Sequence, residues 1–144
     1  MSSINISCAF CASTNRIPEQ RLGDNPKCGK CKSALFQGKV VELTGANVAS
    51  IVNNNGIPVV VDCWAPWCGP CRSFAPVYEK AAQELEPRFR FAKLNTEQEQ
   101  RVASRWGIRS IPTLILFKSG KEVTRMSGAM PFNQLKQWLL QNGG

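Results

Sequence analysis

Three Cys-x-x-Cys pairs stand in this chain of 144 residues: Cys8/Cys11, Cys28/Cys31 and Cys68/Cys71. A cysteine thiolate can attack a disulfide or ligate a metal, and spacing alone does not say which. The settings differ. Cys68 and Cys71 lie in "WCGPC", with the apolar run "PVVVDCWA" before them and an amphipathic stretch after them. That order, strand then helix, puts Cys68 at a helix N-terminus. There, unsatisfied N–H groups and the positive end of the helix dipole stabilise a thiolate. Cys68 is therefore expected to be the exposed attacking cysteine. Cys71, one turn further in and more buried, would resolve the mixed disulfide. Gly69 would let a partner backbone approach, and Pro70 stiffens the loop.

The outer pairs are separated by 16 residues. C-x2-C followed at that distance by C-x2-C is a tetrahedral zinc signature. In "KCGKCK", Gly29 is expected to relieve the turn, while Lys27, Lys30 and Lys32 offset the charge of the site. Cys8, Cys11, Cys28 and Cys31 would hold one Zn(II) with no open position, hence a structural site. The competing reading is a pair of redox dithiols, or of disulfides in a small secreted module. Seven cysteines cannot all pair internally, and disulfides are rare in reducing compartments. The N-terminus "MSSINISCAFC" has neither a signal-peptide pattern nor the Arg-rich character of a transit peptide, so a cytoplasmic location is expected. No apolar run approaches the ~20 residues of a membrane span.

The elements that must position these cysteines follow from periodicity. Composition shifts near Gly38, which suggests a four-cysteine module over residues 1–38 and an α/β domain over 39–144. The first is too short to bury a sufficient core without a staple. In the second, "VVEL" reads as an edge strand, 46–54 as a helix and "PVVVDCWA" as a central strand. A helix is expected from about Cys68 to Leu85, kinked at Pro76. "RFRFAKLN" reads as a strand and 97–106 as a helix with Val102 and Trp106 inward. "TLILFK" and "KEVTRMS" form a hairpin about Ser119-Gly120. Pro131 opens a last helix buried along Leu135, Trp138 and Leu139. Strands alternating with helices, closed by a hairpin and a helix, indicate a central mixed β-sheet flanked by helices.

The stretches "DCWAPWCGPC", "FAPVYEKAAQEL", "FAKLN", "WGIRSIPTLILFKSGK" and "SGA" resemble thioredoxin over residues 40–144. With the cysteine-rich extension, the chain is similar to the bacterial zinc-binding second thioredoxins. The resemblance implies a thioredoxin fold with a small zinc-ribbon-like module. It implies protein-disulfide reductase activity with no cofactor bound for the redox step. Electrons would come from a thioredoxin reductase (NADPH, FAD). Substrates would be oxidised cytosolic proteins such as ribonucleotide and methionine sulfoxide reductases. It assigns Asp62 as a buried proton relay to Cys71, Lys93 as its neighbour and Pro112 as a cis-proline facing the cysteines. Trp67, Ile111, Gly128 and Ala129 would line the substrate groove with Gly69 and Pro70. Lys93 reads equally well as an exposed strand lysine, and Trp64 as packing.

Two positions depart from that pattern. Cys63 replaces an aromatic residue and reads as a small buried thiol or as a third redox cysteine. Ser127 stands where an apolar groove residue is common. The formal net charge is +8, falling to +6 with zinc on four thiolates, and there is no histidine. Lys and Arg are scattered rather than clustered. Phe10 and Phe36 alone supply aromatics near the outer pairs, so nucleic-acid docking is poorly supported. Two alternatives to the reductase remain: the outer pairs as a docking module for a partner or nucleic acid, or as a redox sensor that releases zinc. A monomer is expected.

Overall fold

A computed structural model describes residues 2–143. After a short N-terminal hairpin, strands alternate with helices as the periodicity requires. Strands β1 (Ser3–Ser7) and β2 (Thr14–Pro18) pair antiparallel. Then follow β3 (Val41–Glu42), helix α1 (Val48–Asn53), β4 (Val59–Trp64), α2 (Gly69–Leu85), β5 (Arg90–Asn95) and α3 (Gln100–Arg105). The chain closes with β6 (Thr113–Lys118), β7 (Lys121–Ser127) and α4 (Phe132–Gly143). The main sheet runs β3-β5-β4-β6-β7. β3, β5 and β4 are mutually parallel, and β6 and β7 join antiparallel. This is the mixed sheet expected from sequence.

β4 is central, and the alternation of side chains along a strand divides its residues between two cores. Val59, Val61 and Cys63 pack with Ile51 of α1 and Val102 of α3. Val60 packs with Phe74 and Tyr78 of α2 and with Leu135 and Trp138 of α4. Asp62 therefore faces α2, and Cys63 faces away from it. The run from 58 to 65 is apolar because both faces of this strand are covered. Tyr78 ties α2 to the sheet: its hydroxyl lies 2.7 Å from the Ala92 carbonyl and 2.9 Å from that of Val60.

Helix boundaries are tighter than the periodicity suggests. α3 begins at Gln100 rather than 97, because the Asn95 side chain takes the N–H groups of Glu97 and Gln98 in a turn. Pro131 precedes α4 rather than opening it; its carbonyl accepts from Leu135 N. Pro76 lies inside the unbroken span of α2. At the hairpin tip Ser119 and Gly120 both have positive φ, as a two-residue turn of the twist-matched kind requires.

The N-terminal segment is welded to one end of this sheet. Ile6, Cys8, Cys28 and Leu35 form a small core with Ile57, just before β4. Gly56 is needed there, since a Cβ would come within 2.1 Å of Ile4 Cγ1. The joint is also polar. Ser7 N donates to Asn55 Oδ1 at 3.0 Å, Ser7 Oγ to the Ser50 carbonyl at 2.7 Å, and Ser50 Oγ to the Ala12 carbonyl at 2.7 Å. Arg90, 1% exposed, sends one amino group to the Ser7 carbonyl at 2.8 Å and the other to that of Leu35 at 3.0 Å. The second also meets Glu86 Oε2 at 3.2 Å, and Glu86 Oε1 accepts from Gly38 N at 2.9 Å.

Candidate functional site

At the opposite end of β4, roughly 17 Å away along a strand, the chain turns into α2. Cys68 has extended backbone and is the N-cap of α2, where Cys71 N donates to its Sγ at 3.2 Å. A side-chain acceptor at the N-cap satisfies one of the orphan N–H groups, and a thiolate there also meets the helix dipole. Pro70 occupies the first turn, where its missing N–H costs nothing. Cys68 and Cys71 are joined as a disulfide with Cα atoms 5.2 Å apart.

The expected contrast in exposure is small. Cys68 is 4% exposed and Cys71 2%. Cys68 is covered because Trp64 and Ile111 pack against the pair. What stands open is the rim: Trp67 is 64% exposed, and nothing lies within 4 Å of where a Gly69 Cβ would be.

The Ile111–Pro112 peptide is cis, and Cys68 Sγ lies 4.0 Å from the Ile111 carbonyl oxygen. Gly128, at φ +99°, donates its N–H to the Pro112 carbonyl at 2.8 Å. Ala129 beside it is exposed. Ile111 thus lies against the disulfide, Gly128 is hydrogen-bonded to the neighbouring Pro112 with Ala129 next in sequence, and Trp67, Gly69 and Pro70 belong to the loop of the disulfide itself. Ser127 is not a lone departure. Its hydroxyl lies 3.2 Å from Ser110 Oγ and 3.4 Å from Thr113 Oγ1, a hydroxyl cluster next to Pro112. Sequence reasoning missed Ser110. It also missed Glu97, which accepts from Trp67 Nε1 and orients the exposed ring.

Behind the pair, Asp62 is 5% exposed and shares a cavity of about 110 Å³ with Cys71, Trp64, Tyr78 and Lys93. Burial pushes its carboxyl from 3.8 up to about 7, partly opposed by Lys93. Lys93 is half-buried, pairs with Asp62 in the β4–β5 register and places Nζ 5.4 Å from the Trp64 ring. A carboxyl raised in the folded state contributes stability that is present below about pH 4 and lost as pH rises through about 7. Asp62→Asn should therefore be more stable than the parent in alkaline solution, by up to about 4 kcal/mol. The gap should close toward about pH 4. Urea denaturation at both ends of that range measures it; a pH-independent difference would refute the buried ionisation.

Cys63 is fully buried on the other face of β4, and burial first, then Asp62, pushes its thiol up to about 12. It packs in a different apolar cluster from the one that holds Cys68 and Cys71.

The outer cysteines converge. The Sγ atoms of Cys8, Cys11, Cys28 and Cys31 all lie within 4.8 Å of one another, with Cys8–Cys31 and Cys11–Cys28 at 3.6 Å. Tetrahedral zinc with Zn–S near 2.3 Å needs sulfur–sulfur edges of about 3.8 Å, so the donor set fits that ion. The two knuckles are built alike. Cys8 N donates to the Ser13 carbonyl and Cys28 N to that of Ser33, at 2.9 and 2.8 Å. Ala12 N and Lys32 N donate back to the Cys8 and Cys28 carbonyls, both at 3.0 Å.

This geometry corrects the role expected of Gly29. The left-handed residues are Ala12 (φ 62°) and Lys32 (φ 69°), one position after each pair, whereas Gly29 is not at positive φ. Gly29 N instead donates to Asn15 Oδ1 at 2.9 Å, and Asn15 Nδ2 lies 3.5 Å from Cys28 Sγ. Phe36 is no free stacking platform, since the Arg90 guanidinium covers it at 4.7 Å; Phe10 is 61% exposed.

Comparison with known proteins agrees with both halves. Residues 39–141 match the family described as Thioredoxin, and residues 7–33 the one described as Thioredoxin 2, N-terminal. Thioredoxin C-3 of Corynebacterium nephridii is 42% identical over 136 residues, 94% of this chain and 93% of that protein. Thioredoxin of Porphyra purpurea is 46% identical over 100 residues, 69% of this chain and 94% of its own. Thioredoxin of Haemophilus influenzae is 39% identical over 104 residues, 72% and 97% respectively.

Proposed function

The chain belongs to the thioredoxin family, a family of protein-disulfide oxidoreductases, and from that premise we propose that it reduces partner disulfides through Cys68 and Cys71. The observation that carries this is the placement of Cys68 Sγ at the N-cap of α2, bonded to Cys71 and beside the Ile111 carbonyl. In the reduced protein the Cys68 thiolate attacks one sulfur of a substrate disulfide. A mixed disulfide forms and the other substrate sulfur leaves as a thiolate. Cys71 then loses its proton to the Asp62 carboxylate across their shared cavity and attacks Cys68 Sγ. The second substrate thiolate departs, and the chain is left with the Cys68–Cys71 disulfide. Two electrons have passed to the substrate.

Lys93 favours the ionised form of Asp62. Pro112, through the Ile111 peptide, Trp67, Gly128 and Ala129 would seat the partner backbone, with Gly69 and Pro70 leaving the approach clear. A thioredoxin reductase using NADPH and FAD would restore the dithiol. Oxidised cytosolic proteins would be the substrates and the cytoplasm the setting. No helix among the described residues is long and apolar enough to cross a membrane. The test is insulin reduction coupled to NADPH consumption through such a reductase. Turnover is expected; none by the reduced wild type would overturn the proposal.

The same reading divides the chain into a zinc-binding module, 1–38, and the redox domain, 39–144. Cys8, Cys11, Cys28 and Cys31 would hold one Zn(II), whose part is to cross-link the two knuckles. Burial pushes the metal-free Cys8 thiol up to about 11, while the Cys31 N–H and then Asn15 hold Cys28 down near 6. A divalent cation would let all four ionise together. Metal analysis of the reduced protein should find one zinc per chain; much less would refute the site. Stripping the zinc should free the amides of Ile6 and Leu35 to exchange while those of β4 and β6 stay protected.

A further inference from the structure

From sequence, Trp64 reads as packing more readily than as chemistry. Its indole Nε1 is nevertheless buried without a hydrogen-bond partner among the described residues, and so is Asp62 Oδ1. One is a donor and the other an acceptor, and both residues line the same cavity of about 110 Å³ with Cys71. Each such atom, left unmet, costs on the order of 1–3 kcal/mol. Two residues apart on β4, they share one face, with Cα atoms roughly 7 Å apart. Both atoms need a partner, and a cavity of about 110 Å³ exceeds the ~15 Å³ that one water needs.

We infer that the cavity holds an ordered water that accepts from Trp64 Nε1 and donates to Asp62 Oδ1, making Trp64 a positioning residue for the proton held by Asp62. The inference rests on the reductase reading for its purpose, though not for its test. A water anchored by the indole has its oxygen occupied by the N–H and its protons free. It can donate one to the carboxylate and the other toward Cys71. This stabilises ionised Asp62 against the cost of burial, alongside Lys93 of β5. The other titratable groups facing the cavity are all on α2: Tyr78, Arg72, Glu79 and Cys71 itself. None of them forms a hydrogen bond to Asp62 Oδ1. β6, which pairs with β4 on its other side, sets Leu114 opposite Asp62 and adds no charge there.

The test is the titration of the Asp62 carboxyl by carbon NMR in the reduced protein, for wild type and Trp64→Phe. Phenylalanine keeps an aromatic ring and removes the N–H. Losing the anchored donor should raise the Asp62 midpoint by about one pH unit, and the acid limb of insulin reduction should move with it. Should Trp64→Phe fail to fold, site-specific replacement of Trp64 by 3-benzothienylalanine decides the matter, because it keeps both rings and puts sulfur in place of the N–H. An unmoved midpoint in the folded variant overturns the inference. The titration needs no turnover, so failure of the reductase reading shows separately, as wild-type protein that titrates normally but reduces no insulin.

Discussion

Serine in place of Cys68 is expected to end disulfide reduction, at least a thousandfold below wild type on the order-of-magnitude scale of a lost nucleophile. A hydroxyl at the N-cap still accepts from Cys71 N, so the fold should stand. What would be lost is the sulfur at the N-cap of α2, where a helix terminus favours a thiolate. Cys71 cannot substitute. It lies within α2 and lines the cavity behind the pair with Asp62. Cys71→Ser should behave differently. Cys68 still attacks, but nothing resolves the mixed disulfide, so the protein turns over once and stays coupled to its substrate. Mass analysis after reaction with an excess of oxidised peptide should find one adduct, on Cys68. Residual turnover by Cys68→Ser, or an adduct mapped to Cys63, would break the assignment. Cys63 is the informative control, since its thiol is fully buried and held far toward its protonated form.

The division of labour among the cysteines was legible in the sequence because it depends on local setting. A strand of uniform apolarity, a Gly-Pro within the pair and an amphipathic stretch after it determine a helix N-terminus without long-range help. The 16-residue separation of the outer pairs is likewise a local fact. The illegible parts are those that distant segments create. "RFRFAKLN" reads as a strand, and nothing local in it marks Arg90 for burial. Arg90 is buried only because Ser7 and Leu35, 83 and 55 residues away in sequence, close over it. The Gly29 expectation failed for a related reason. Glycine is the usual left-handed residue, but two back-to-back hydrogen bonds in each knuckle hold Ala12 and Lys32 in that conformation instead. The unmet Trp64 N–H and the unmet Asp62 Oδ1 are likewise invisible in the sequence, since only the fold brings both residues to one cavity.

Arg90 is where the two halves of the chain depend on each other, and its removal should be felt by both. The guanidinium meets three acceptors: the Ser7 carbonyl, the Leu35 carbonyl and Glu86 Oε2. All three are drawn from water by the joint, and Glu86 is 3% exposed. Arg90→Met keeps much of the volume but leaves a buried carboxylate and two carbonyls unmet, so a loss of about 3–5 kcal/mol is expected. Lysine should rescue little, because one ammonium cannot span three acceptors in a fork. The cost arises mainly from the orphaned carboxylate rather than from the lost contacts. The double variant Arg90→Met/Glu86→Gln should therefore recover a substantial part of it, since the amide is neutral and its oxygen can still accept from Gly38 N. Urea denaturation of the zinc-loaded proteins gives the comparison, and amide exchange at Ser7 and Leu35 locates it. The single variant should open the joint there first, while the Cys68 loop, at the far end of β4, keeps its protection. A single variant within about 1 kcal/mol of wild type, or a double variant no better than the single, would mean that apolar contacts among Ile6, Leu35 and Ile57 hold the joint and that the buried ion pair only fits between them.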